Sequence, residues 1–400
     1  MFNRRSFCKA TAVASAATAL TSSHLVQAAG VLTADRGLIK AGQALIEVAQ
    51  LDWLCNAVGL TSTGRLFVGL PRWPGFEKTP SIAQLLPDGT LKPFPGGDWN
   101  NWQPGKSGAR SLVKINTIHI FDDDTLWAID QGEDAGPQGI NPGQKILQFD
   151  TRDGRLLRSI SLPPSVLPAG ANLNDLRLDS EHAYLTDSGL GAIIIVNLKT
   201  GTALRRLADH PSTRMSPERR PLGEAGQALL MPDGSDHQVH SDPLEISPDG
   251  KWLYYQPLTG PLWRVPTAAL RDTLVTEKAL GEQVEFVYDT GALTGTAMDS
   301  AGNLYLGEYD KPRVTVLSPD GTLRVVVEDP RLWNPDAMIV SNQRELYIPV
   351  PQSARMASNR GPNGVGALQL PFKLYKVQLP AYLGTREAVP TMVGKPLAAS

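Results

Sequence analysis

Asp242-Pro243-Leu244-Glu245-Ile246-Ser247-Pro248-Asp249-Gly250-Lys251-Trp252-Leu253-Tyr254 reads as two short strands joined by a turn. Leu244 and Ile246 alternate with polar neighbours, Pro-Asp-Gly supplies the turn, and an apolar-aromatic run follows. The same arrangement occurs six times. A polar residue stands about ten positions ahead of an apolar-aromatic pair in Asn56 to Leu66-Phe67, Asn116 to Leu126-Trp127 and Asn174 to Ala183-Tyr184. It recurs in Asp242 to Leu253-Tyr254, Thr294 to Leu304-Tyr305 and Asp336 to Leu346-Tyr347, with starts 42 to 68 residues apart. A repeat of that length made only of strands and turns is a propeller blade, so the chain is expected to be all-β, a six-bladed β-propeller. The first strand of each repeat, such as Asn116-x-Ile118-x-Ile120, is the innermost of its blade. Its leading polar residue therefore faces the mouth of the central channel.

The rest of each repeat agrees. Turns are written in Pro87-Asp88-Gly89, Arg152-Asp153-Gly154, Lys199-Thr200-Gly201 and Pro319-Asp320-Gly321, between alternating apolar runs. The last repeat ends on Phe372–Val377 with little chain after it. Leu45–Val48 is expected to supply its outer strand, closing the ring and leaving no exposed edge. Pro266–Leu280 predicts one or two helical turns. Two long stretches stand out as insertions, Ala208–Asp242 over one face of the disc, and Pro71–Trp102 with Arg72, Trp73, Trp99 and Trp102.

Composition bounds the function. The 400 residues are 42% hydrophobic and 20% charged, with 37 Gly and 32 Pro, as expected of a single turn-rich domain over 29–400 with blades across roughly 45–385. Lys and Arg number 38 against 40 Asp and Glu, without a basic run, so nucleic acid is not an expected partner. Asn3-Arg4-Arg5-Ser6-Phe7-Cys8-Lys9, the mildly apolar Ala10–Leu20 and the small residues at Val26-Gln27-Ala28 read as a twin-arginine signal over 1–28. The apolar stretch is too short to span a bilayer. The mature chain is then a periplasmic or secreted monomer without a membrane span. Cys8 leaves with the signal and Cys55 has no disulfide partner, which makes it a buried structural thiol.

Asn56, Asn116, Asn174, Asp242, Thr294 and Asp336 are the candidate ligand-binding set, with His240 at the rim. Asp242 and Asp336 are the two carboxylates, so they would carry any cation or amine. His237-x-x-His240 has the spacing of two imidazoles on one side of a turn, but no third ligand accompanies it. His240, two residues before Asp242, is the better placed of the pair. Asp122-Asp123-Asp124 reads as a solvated turn, and Asp130, Asp187 and Ser188 as braces at strand ends.

Several longer segments carry a family resemblance: Pro71-Arg72-Trp73, Leu126-Trp127-Ala128-Ile129-Asp130, Asn174-Asp175-Leu176 and Ala183-Tyr184-Leu185-Thr186-Asp187-Ser188-Gly189. Asp209-His210-Pro211-Ser212, Leu244–Leu253 and Asn334-Pro335-Asp336 complete the set. Over roughly Leu45 to Leu379 the chain resembles the major royal jelly protein/yellow family. That resemblance implies an exported propeller that binds a small polar or aromatic ligand, in some members an amine, in its funnel. The chain is more distantly similar to regucalcin/gluconolactonase propellers. Those hold a divalent cation, calcium or zinc here, through a Glu, an Asn and an Asp. Asn174 and Asp242 match the last two, with Asp242 as metal ligand and catalytic base, while the Glu position is Asn56. The alternative function is therefore a metal-dependent lactone or ester hydrolase, or a quinone-type isomerase. The neutral amide at Asn56 removes one negative charge from that cation site.

Overall fold

Six four-stranded antiparallel sheets are arranged as the blades of a propeller, the first five running in chain order from an inner to an outer strand, and Ile39–Lys40 and Met392–Val393 add a parallel fifth strand to blades five and three. The computed structural model describes residues 39–40, 43–121, 123–384 and 392–393; residues 1–28, read above as a signal, and Asp122 lie outside them. The inner strands are Ala57–Leu60, Ile115–Ile120, Leu173–Asp179, Ser241–Ile246, Leu293–Met298 and Ile339–Val340. Blade six is completed by Ile46–Leu51, which pairs antiparallel with Phe372–Gln378. The expected ring closure is therefore present, and Lys373 Nζ donates to Glu47 across it at 2.8 Å. Glycines at the hairpin turns adopt positive φ, among them Gly89 (86°) and Gly321 (80°), where a side chain would be strained.

The aromatic of each second strand packs between blades. Phe67, Trp127, Tyr184 and Tyr305 have no exposed surface, and Tyr347 is buried as well. Tyr254, opposite Glu245 in the same register position, is half buried, and its neighbour Tyr255 takes the fully buried place. Pro266–Leu280 holds two short helices, Thr267–Arg271 and Glu277–Gly281. No helix among the described residues is long and apolar enough to cross a membrane.

The two presumed insertions differ in kind. Pro71–Trp102 contains Ser81–Leu85 and Leu91–Pro93, the third and fourth strands of blade one, so most of it is blade. Its aromatic residues also part company. Trp99 packs edge-on against Phe149, and the Arg72 guanidinium lies over the Trp102 ring while donating to the Leu112, Val113 and Asn100 carbonyls. Residues 208–240, by contrast, are an ordered loop. Leu222 bridges to Ala228 and Leu230 to Asp236, and Leu230 also pairs with Arg360 of a second loop. Arg355 clasps Glu224 with two hydrogen bonds, of 2.6 and 2.9 Å, between the same two loops.

Cys55 is fully buried, and burial pushes its thiol up to about 12. A Cys8→Ser variant should therefore resist a thiol reagent at pH 8 when folded and react at one thiol per chain in denaturant. Labelling of the folded protein at the denatured rate would contradict the buried placement.

Candidate functional site

A local irregularity turns the polar residues inward. Pairing of the first two strands slips between Ile115 and Thr117, Leu173 and Leu176, Ser241 and Leu244, and Leu293 and Gly295. Asn116, Asn174, Asp242 and Thr294 each sit in such a bulge, which twists the strand end and re-aims the side chain. Pro243, which has no N–H to pair, is at home there. Gly295 permits a further approach: a Cβ on it would lie 2.2 Å from the Asp336 carbonyl carbon, so blades five and six meet closely at the mouth.

All six polar starts line one cavity of about 290 Å³. The asparagines form a one-way relay. Asn56 Nδ2 donates to the Asn116 carbonyl; Asn116 Nδ2 donates to the Asn174 carbonyl (3.1 Å) and Oδ1 (2.6 Å); Asn174 Nδ2 donates to Asp242 Oδ1 (2.9 Å). The Asp242 carboxylate has no other hydrogen bond among the described residues, and Asp336 accepts one N–H, from Ala337 at 2.8 Å. Among the described residues neither carboxylate has a hydrogen bond or ion pair with a Lys, Arg or His. Burial, then Asp336 and Asp175, hold the Asp242 carboxyl well above its usual range. Burial pushes Asp336 up to about 8, with the Ala337 N–H opposing and Asp175 reinforcing.

The cavity also has an apolar lining that comes largely from loops: Trp73, Pro74, Met231, Val239, Leu258 and Met356. His237 lines the cavity, with Nδ1 3.1 Å from Met231 Sδ, and burial lowers its pKa. His240, expected at the rim, is buried behind the wall. Its Nδ1 accepts the Met215 N–H (3.1 Å) and its own N–H donates to the Ser188 carbonyl. The placement of the two histidines is thus the reverse of the expectation, because the turn at 231–235 swings His237 inward. Asp130 and Asp187 brace strand ends as expected: Asp130 accepts from three backbone N–H groups and Lys145, and Asp187 from three N–H groups and Arg205.

One layer below, three residues after three of the polar starts, lies a charged cluster absent from the sequence-based set. His119 Nε2 is 2.6 Å from Asp175 and 2.9 Å from Arg177. Arg177 forks onto Glu245 at 2.8 and 2.5 Å and also reaches Asp175 at 3.0 Å. Burial works against the charge on Asp175, but Arg177 and His119 hold its carboxyl below the usual range. This cluster fills the channel beneath the cavity with charges that are already paired. At the mouth, by contrast, Asp242 and Asp336 have no cationic partner among the described residues.

The donor set for a divalent cation is incomplete as arranged. Asn174 Oδ1 is engaged by Asn116, its NH2 faces Asp242, and the Glu position holds Asn56. Among the described residues no group of three or more His, Cys, Asp or Glu is gathered as metal ligands.

A family model for the major royal jelly protein matches residues 115–357. No curated protein matches the sequence. Among solved structures, a luciferin-regenerating enzyme is 11% identical with a TM-score of 0.53, covering 88% of this chain and 100% of its own. A putative gluconolactonase is 13% identical with a TM-score of 0.50, covering 86% and 94%. The calcium-binding protein regucalcin from Agrobacterium tumefaciens is 15% identical with a TM-score of 0.48, covering 90% and 99%. At such identities the likeness is one of fold, and only the site's own chemistry bears on function. The family match runs from the inner strand of blade two to the second loop over the mouth, more than half of the sequence, and the chain belongs to the major royal jelly protein family.

Proposed function

We propose that the funnel binds a small organic cation, with its charged nitrogen between Asp242 and Asp336 and its apolar body against Trp73, Met231 and Met356. The observation that carries this reading is the pair of carboxylates, Asp242 buried and Asp336 half-buried, in one cavity with no Lys or Arg among the residues that line it. Buried ionisable groups without partners are costly, and a cation supplied from outside relieves the cost. The cavity volume lies near the lower end of small-ligand pockets, which run from roughly 300 Å³ upward. The twin-arginine pattern supports export of the folded protein, so we place the binding in the periplasm or outside the cell, by a monomer.

The runner-up occupant of the same carboxylates is calcium or zinc, and with it a lactone or ester hydrolysis. Asn174 is turned the wrong way for it, as its NH2 and not its oxygen faces Asp242. The organic cation needs no such rearrangement.

Calorimetric titration with aromatic and aliphatic monoamines, beside the matching alcohols, tests the proposal. One-to-one amine binding that weakens at least about tenfold from pH 8.5 to pH 6, as both carboxylates take up protons, is the expected result. Alcohols binding as tightly as amines, or no amine binding at millimolar concentration, would overturn it.

A further inference from the structure

Three hydroxyl groups at the mouth, those of Tyr309, Ser353 and Thr294, have fixed hydrogen-bond directions. Asn334 Oδ1 receives the Ser353 backbone N–H at 2.7 Å, and a backbone N–H only donates, so the orientation of the Asn334 amide is settled. The Ser353 hydroxyl also meets Asn334 Oδ1, at 2.5 Å, and its one proton is committed there. Tyr309 Oη lies 2.8 Å from Ser353 Oγ, which has no proton left to offer, so the phenol is the donor of that pair. On the other side Asn334 Nδ2 donates to Thr294 Oγ1 at 2.9 Å, and the Thr294 hydroxyl donates to the Pro335 carbonyl at 2.9 Å. The chain Tyr309–Ser353–Asn334–Thr294–Pro335 thus has every proton assigned, is anchored on the Ser353 backbone N–H in its middle and on the Pro335 carbonyl at one end, and ends at the other on the Tyr309 phenol. Tyr309 and Thr294 both line the cavity, and both offer it only lone pairs.

We propose that Tyr309 makes the funnel selective for primary ammonium groups, which bring three N–H donors on one nitrogen, over fully alkylated ammonium groups of the same charge. This rests on the cation reading above. Tyr309, Asp242 and Asp336 are three acceptors on one cavity, and the first is too buried, at 2% exposure, for water to serve it freely. Burial and then both carboxylates also disfavour ionisation of the phenol, which agrees with its facing them. A primary ammonium satisfies one acceptor with each proton. A trimethylammonium meets only the charge and leaves three acceptors desolvated without donors. Asn116 cannot compensate, since both its amide protons are held by Asn174.

The test compares a primary amine with its N,N,N-trimethyl derivative by calorimetry on the wild-type protein, then on Tyr309→Phe. The wild type is expected to prefer the primary amine by at least about 30-fold, from hydrogen bonds to a charged donor that one partner lacks. In Tyr309→Phe the preference should fall by about tenfold through weaker primary-amine binding, with trimethyl affinity little changed. Equal affinities of the two ligands for the wild type would overturn the selectivity while leaving the cation site standing. Binding of neither ligand would overturn both readings. The wild-type comparison stands alone should the variant misfold.

Discussion

Between pH 4 and pH 8 the unliganded protein is expected to lose stability, and Asp336→Asn is expected to remove a large part of that loss. The folded state keeps the Asp336 proton up to about pH 8, whereas the unfolded chain releases it near the ordinary carboxylate value. Across that window the folded state binds more protons, so stability falls as pH rises and is lost progressively until the folded group itself ionises. Four units at about 1.4 kcal/mol each set an upper bound near 6 kcal/mol, and relaxation of the buried site brings the expectation to about 3–5 kcal/mol. Asp242, shifted in the same direction, adds to the slope. Urea unfolding at intervals across the window, wild type against variant, measures it. The difference between the two proteins should grow with pH in favour of the variant, and an amine added at pH 8 should stabilise the wild type alone. A pH-independent difference would mean that Asp336 is not held protonated.

The second large effect lies one layer down. Arg177→Ala is expected to destabilise the protein by about 3–5 kcal/mol, since it strands two buried carboxylates. The Arg177 and Glu245 side chains are 5% and 3% exposed, and Asp175 is 10% exposed, so water cannot take over the role of the guanidinium. Adding Glu245→Gln and Asp175→Asn to the same chain should restore part of the loss, because the cost is that of unpaired charge and not of a missing contact. The exposed pair Arg214–Asp209 offers the contrast: Arg214→Ala should change stability by less than about 1 kcal/mol. A triple variant as unstable as Arg177→Ala would show that packing of the arginine stem, not charge, dominates.

The blades were legible because their signal is local. A polar residue, a period-two apolar strand, a turn and an aromatic strand lie within about fifteen residues, and six copies reinforce one another. The six channel residues were legible for the same reason, as equivalent positions in a repeat. His119, Arg177 and Glu245 obey an equally simple rule, three residues after Asn116, Asn174 and Asp242, and could have been read from it. A second periodic position also went unread: Gln131, Ser188, Leu258 and Tyr309 each directly follow the second strand of a blade, and all line the cavity. The loop residues are another matter. Which of His237 and His240 faces inward depends on the pairing of Leu230 with Asp236 and with Arg360, and the latter joins residues 130 positions apart. Nothing near His237 in the sequence encodes that partner. The Met356 contribution depends on the same pairing.

The join in blade six sets an order of events. Glu47 and Lys373 are 326 residues apart in the chain, so bringing their strands together costs on the order of 5 kcal/mol of chain entropy unless the blades between have already drawn the ends close. The four antiparallel strands of each of blades one to five are near neighbours in the chain and can form as the ribosome delivers them. Ile46–Leu51 must wait, through the synthesis of more than three hundred residues, with its hydrogen-bonding edge open. Among the strands of the four-stranded blades, the one made first is seated last.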